Sequence, residues 1–168
     1  MREPFARPGS MRGLVEVLHQ DWLYPRPEQL VTLLGSHDVR RFMSERGATV
    51  DGLRLATTFL FTTRGVPQWY AGDEIAMPGG DDPDNRRDFP GGWPDDARNA
   101  FTAAGRTADE QAVWSHTQKL LQLRKTLTPL RRGALRHLLV DEHVYAYARV
   151  HENETVLVVL NNAGVPQD

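Results

Sequence analysis

Cysteine is absent from the 168 residues, so neither disulfides nor thiolate metal sites hold this chain together. That absence leaves the compartment open, because secreted proteins also lack cysteine. Long apolar runs are missing too, and no segment approaches the roughly twenty residues that span a bilayer. The opening residues, Met1 to Pro8, carry no hydrophobic stretch of the kind a signal peptide needs. An excess of charge of one sign is likewise lacking: 20 Lys and Arg stand against 22 Asp and Glu, for a formal net charge of -2 and a pI near 6.3. Such a balance gives no general attraction to nucleic acid or to an anionic membrane. Arg40-Arg41 and Arg131-Arg132 read as scattered solvated charge offset by acids, with the loop pair Arg86-Arg87 as the exception. What is present, 40% hydrophobic and 25% charged residues, suits a soluble chain able to bury one core of moderate size.

Along the chain the elements alternate. Residues 11 to 19 suit a helix, and Tyr24-Pro-Arg-Pro27 then forces an extended approach to an apolar run, residues 30 to 34, that ends at His37-Asp38. A run without polar alternation suits a strand covered on both faces, and parallel folds place their chemistry at the carboxyl ends of such strands. Leu53, Ala56, Phe59 and Leu60 recur at helical spacing, with Gly65 as a stop. Val66 to Tyr70 reads as a second strand, giving the strand, helix, strand order of a parallel sheet. Residues 75 to about 106 are rich in Pro, Gly and Asp, and a loop of that length is usually functional or disordered. Thr107-Ala-Asp-Glu110 fits a capping box for a helix running to about Leu127. Beyond it, residues 134 to 140, 144 to 150 and 155 to 160 read as antiparallel strands, with Tyr145, Tyr147 and Arg149 on one face of the middle one.

Three blocks occur in order: Leu33-Leu-Gly-Ser-His37-Asp38-Val-Arg-Arg41-Phe42, Gly65-Val-Pro-Gln-Trp-Tyr70-Ala-Gly72-Asp-Glu74, and Gly79-Gly-Asp-Asp82-Pro-Asp-Asn85-Arg86. Together they closely resemble the alpha-amylase family, glycoside hydrolase family thirteen. Gln20-Asp-Trp-Leu-Tyr24-Pro, leading into the first block, is most similar to the neopullulanase and cyclomaltodextrinase branch. The resemblance covers about residues 14 to 160. It implies an α/β fold: the last two βα units of a (β/α)8 TIM barrel over residues 1–129, followed over 130–168 by the beginning of an antiparallel β-sandwich.

By the same resemblance, Asp38 matches the carboxylate that holds the distorted sugar and stabilises the transition state, and His37 the imidazole that bonds its hydroxyls. Asp82 and Arg86 match a pair that grips a neighbouring glucose, and Arg41 and Trp93 are further candidates for substrate contact. Physically, hydroxyl contacts that tighten on distortion favour an oxocarbenium-like state, and a carboxylate beside a guanidinium offers acceptors and fixed donors to a sugar. Ser36 stands where the family usually has Asn. The implied substrate is an α-linked glucan or maltooligosaccharide, with no metal or cofactor, and the full-length protein is expected as a homodimer. A calcium loop at Asp81, Asp82 and Asp84 is disfavoured, because Arg86 occupies a position where an EF-hand pattern wants Asp or Asn.

Retaining hydrolysis needs a nucleophile and an acid/base carboxylate about 5 Å apart, and the family takes them from earlier strands. No residue here matches them. Asp73 and Glu74 are no substitute, since neighbours in an extended segment point to opposite faces. The expectation is therefore a chain truncated at its amino end and clipped in its β domain, carrying sugar-binding groups without the bond-breaking pair. The other reading kept open is a noncatalytic, amylase-like carbohydrate-binding or interaction protein.

Overall fold

In the computed structural model, which describes residues 2–7 and 9–167, each of the longer helices starts at a hydroxyl side chain. A single turn, α1 (Glu3–Ala6), precedes α2 (Met11–Leu18), where the Ser10 hydroxyl accepts from the Arg12 amide. The strand β1 (Val31–Leu33) leads through the functional turn to α3 (Val50–Thr62), capped by Thr49 accepting from Gly52 N. Gly65, at φ 102°, then turns the chain into β2 (Val66–Gln68), which pairs with β1 in parallel, Thr32 opposite Pro67. At α4 (Ala108–Thr126) the capping box forms in full: Thr107 accepts from Glu110 N while the Glu110 carboxylate accepts from Thr107 N. Each such cap stabilises its helix by about 1 kcal/mol.

A short helix, α5 (Thr128–Arg132), follows where the sequence indicates only a stop. Pro129 fits its first turn because no backbone N–H is needed there. The chain ends in β3 (Ala134–Val140), β4 (Val144–His151) and β5 (Glu154–Asn161), an antiparallel sheet in that order, with one irregularity between His137 and Leu139.

Two expectations are corrected. The run at 30 to 34 is not covered on both faces: Val31 is 58% exposed, and only Thr32 of β1 is buried, because the sheet among the described residues has two strands. Leu34, immediately past β1, is the residue that enters the core. The second strand stops at Gln68 and releases Trp69 and Tyr70 into the following turn.

A large apolar cluster joins the amino-terminal helices, α3, α4 and the antiparallel sheet. Leu14 and Leu18 of α2, Phe59 and Leu60 of α3, and Tyr145 and Tyr147 of β4 belong to it, so the inner face of β4 is the one bearing the tyrosines and Arg149. The opposite sheet face is open, with Leu157 and Val159 exposed. Asn162, just after β5, donates to the carbonyls of Pro4 and Gly9, fastening the sheet to the amino-terminal helices.

Arg149 is fully buried and, among the described residues, has no carboxylate partner. Its guanidinium donates instead to Thr62 O at 2.7 Å, to Thr63 O, and to Gly133 O at 2.8 Å. It therefore closes the carboxyl ends of both α3 and α5, where unpaired carbonyls and the helix dipole favour a cation. Arg124 of α4 does the same at Phe61 O and Gly65 O. Burial lowers the Arg149 pKa to about 10, which leaves it charged at neutral pH. Replacing it by Met should lower the unfolding free energy by about 2–4 kcal/mol, since three buried carbonyls lose a donor, read as a fall in the urea midpoint. Arg149→Lys should recover only part of that loss, because an ammonium cannot reproduce the planar fork.

Candidate functional site

The chain leaves β1 through a tight turn in which Ser36 bridges to Val39 and the Ser36 hydroxyl accepts from Asp38 N at 3.1 Å. A short hydroxyl side chain thus fills the turn-forming role that Asn would also fill. His37 and Asp38 project from this turn, His37 Nε2 lying 3.2 Å from Asp38 Oδ1 and both side chains largely exposed. On a second loop, Asp82 and Arg86 form an ion pair at 2.6 Å, again exposed.

The two loops are sewn together from below. Arg41 N donates to Gly79 O, Gly79 N donates to the Ser44 hydroxyl, and the Asn85 amide nitrogen donates to His37 O at 2.9 Å and Val39 O at 3.0 Å. The contact at Gly79 is close enough to require glycine: a Cβ there would stand 2.7 Å from Asn85 Cα. At the surface Arg40 grips Asp81 with Nε and Nη2. The result is an open depression of about 380 Å³ lined by Asp38, Arg40, Asp81 and Asp82 among others. Asp38 and Asp82 thus face one space, while His37 and Arg86 reach its neighbourhood through their partners and do not line it.

Arg41 is a correction. Expected as a substrate contact, it is only 2% exposed. Its guanidinium lies 4.1 Å from the centre of the Tyr70 ring and donates to Ala71 O, to Asn85 O and to Asp73 Oδ1 at 3.0 Å. It supports the site from behind. Glu74 accepts from Gly72 N and Trp69 Nε1 and so fastens the turn after β2. His116 packs between α3 and α4, bonded to the Thr58 hydroxyl and Arg54 O.

Trp93 is 63% exposed on a loop held by Asp96, whose carboxylate accepts from Gly91 N and Trp93 N. Those amide bonds hold the Asp96 pKa below the ordinary carboxylate value. Asp84 is lowered in the same way, first by Gly80 N–H and then by Arg87. Among the described residues, no group of three His, Asp or Glu side chains is placed to hold a metal ion, and no helix is long and apolar enough to cross a membrane.

The profile of the alpha amylase catalytic domain matches residues 13–133, and that of the cyclo-malto-dextrinase C-terminal domain matches residues 135–168. The chain belongs to the alpha-amylase family. A cyclomaltodextrinase of Geobacillus thermopakistaniensis is 34% identical over 89% of this chain and 24% of its own length. Neopullulanase 2 of Thermoactinomyces vulgaris is 35% identical over 90% of the chain and 24% of its own length. Among solved structures, an alpha-amylase of Geobacillus thermoleovorans complexed with acarbose superposes with a TM-score of 0.76 at 34% identity, over 94% of this chain and 33% of that one. The parallel pair with its helices and the antiparallel sheet are therefore part of a family barrel and the domain that follows it. The chain spans about a quarter of the length of the curated relatives it matches.

Asp73 offers a pH-dependent readout of the scaffold. Burial pushes its carboxyl up to about 6, with Arg41 pulling it down. Between about pH 4, the ordinary Asp value, and pH 6 the folded chain keeps a proton that the unfolded chain has released. The stability tied to that proton is complete below about pH 4 and is lost as pH rises through about 6. Asp73→Asn cannot ionise. The urea midpoint of the parent chain minus that of the variant should accordingly fall as pH rises across this window.

Proposed function

We propose that this chain carries the sugar-holding side of an α-glucan-active retaining glycosidase site, with the nucleophile and the general acid not among its residues. In this reading residues 1–129 contribute to the catalytic barrel and residues 130–168 begin the β domain, although the change from helices to antiparallel strands falls a few residues later, between α5 and β3. Asp38 stabilises the distorted sugar, His37 bonds its hydroxyls, and Asp82 with Arg86 grips the next glucose. The observation that carries the reading is that Asp38 and Asp82, from loops far apart in sequence, line one depression. Their exposed carboxylates accept from hydroxyls, and Arg86 supplies directed donors.

Trp93, presented by the fastened loop, is proposed as a stacking surface for an outer sugar ring. The substrate class is a cyclodextrin or pullulan by the names of the relatives, or the maltooligosaccharide that the family resemblance implies. The purified chain should release no reducing sugar from any of these. It should nonetheless show saturable binding of maltohexaose in an NMR titration, and Asp38→Ala or Arg86→Ala should weaken that binding by roughly tenfold, the worth of one hydrogen bond to a charged group. Hydrolysis by the chain, or undiminished binding by both variants, overturns the proposal.

A further inference from the structure

Asn85 lies in a single turn, Asp84–Arg86, between the two residues of the Asp82–Arg86 pair, and it is fully buried. Its amide nitrogen bonds the carbonyls on either side of Asp38, those of His37 and Val39. Its own backbone carbonyl accepts from Arg41 Nε at 3.0 Å and from the Tyr70 hydroxyl at 3.3 Å, so the anchor is itself held. Among the described residues, the side-chain Oδ1 has no hydrogen-bond partner. The orientation of the amide is therefore set by the two carbonyls of the neighbouring loop, since the flipped amide would set oxygen against oxygen twice.

We infer that Asn85 is a positioning residue: by holding the peptide groups around Asp38 it fixes that carboxylate relative to Asp82 and Arg86. The inference rests on the glucan-site reading and adds to it the group that sets its geometry. An exposed turn without this clamp samples many conformations, and sugar binding must then supply the ordering free energy. Aspartate at 85 has the right shape and the wrong chemistry, for it offers no donor to either carbonyl when ionised.

The test uses the full chain, with maltohexaose as the probe. Asn85→Ala should weaken binding by about tenfold, comparable to losing one or two hydrogen bonds. Hydrogen exchange of the amides at 36–40 and 82–86 should rise at least about tenfold while those of α3 stay unchanged. Asp38→Ala serves as the contrast: it should lose binding and leave exchange in both loops as in the parent. Should Asn85→Ala fail to fold, Asn85→Ser, whose hydroxyl reaches one carbonyl at most, takes its place with the same readouts. Parent-like binding by the Asn85 variant overturns the positioning role and leaves the glucan reading standing. Exchange that rises throughout α3 also overturns it, by showing a general fold residue. No binding by the parent chain removes the glucan site itself, and the positioning role with it.

Discussion

A single buried guanidinium holds the proposed site together. Arg41 follows the His37–Asp38 turn by a few residues, yet its side chain passes beneath the second loop to the turn after β2, touching Tyr70, Ala71, Asp73 and Asn85. Removing a guanidinium and a carboxylate from water is costly, and a buried pair rarely adds net stability over an apolar replacement. What this pair does add is direction. Five donors on a rigid plane accept only one arrangement of the carbonyls and the carboxylate around them, so the three segments bearing them are held in one mutual placement. Burial raises the Asp73 pKa, the direct mark of that desolvation cost.

Arg149 repeats the device beneath the antiparallel sheet. There the guanidinium joins β4 to the ends of α3 and α5 through carbonyls alone, and the shared cluster around Phe59, Tyr145 and Tyr147 surrounds it with apolar surface. The barrel helices and the antiparallel sheet thus meet through both a packed core and a polar clamp. Loss of the sheet would uncover Phe59 and strip donors from the carboxyl end of α3 at once, which makes the two parts mutually dependent for stability.

How much of this was legible in the sequence depends on the range of the interaction. The capping box at Thr107 and Glu110, the glycine stop at Gly65 and the three terminal strands all follow from neighbours within a few residues, and the structure contains them. The parallel pairing of β1 and β2 was readable because strand, helix, strand order permits little else. Arg41 was misjudged because an Arg-Arg pair beside a turn carries no sign of which member turns inward. Asn85 went unnoticed for a related reason: asparagine in a Pro- and Asp-rich loop reads as a turn former, and its true partners lie 46 and 48 residues away. No periodicity encodes a side chain that bonds backbone carbonyls of a distant loop. The depth of Tyr145 and Tyr147 was ambiguous too, since alternation separates the two faces of a strand without saying which one is covered.

The contrast between scaffold and surface bears on how the proposed site meets a sugar. Arg41, Asp73 and Asn85 are buried and bonded to fixed partners, whereas the His37–Asp38 and Asp82–Arg86 pairs are exposed. Exposed pairs contribute at most about 1 kcal/mol, so exchanging them for sugar hydroxyls costs little. Were the same four groups buried and paired, a hydroxyl would have to displace a desolvated partner and leave a charge unsatisfied, at a cost of several kcal/mol. Rigidity is therefore placed in the backbone beneath the functional side chains, and readiness to change partners in the side chains themselves. The order matters: a carboxylate that is free to rebind but fixed in position gives up little entropy when the substrate arrives.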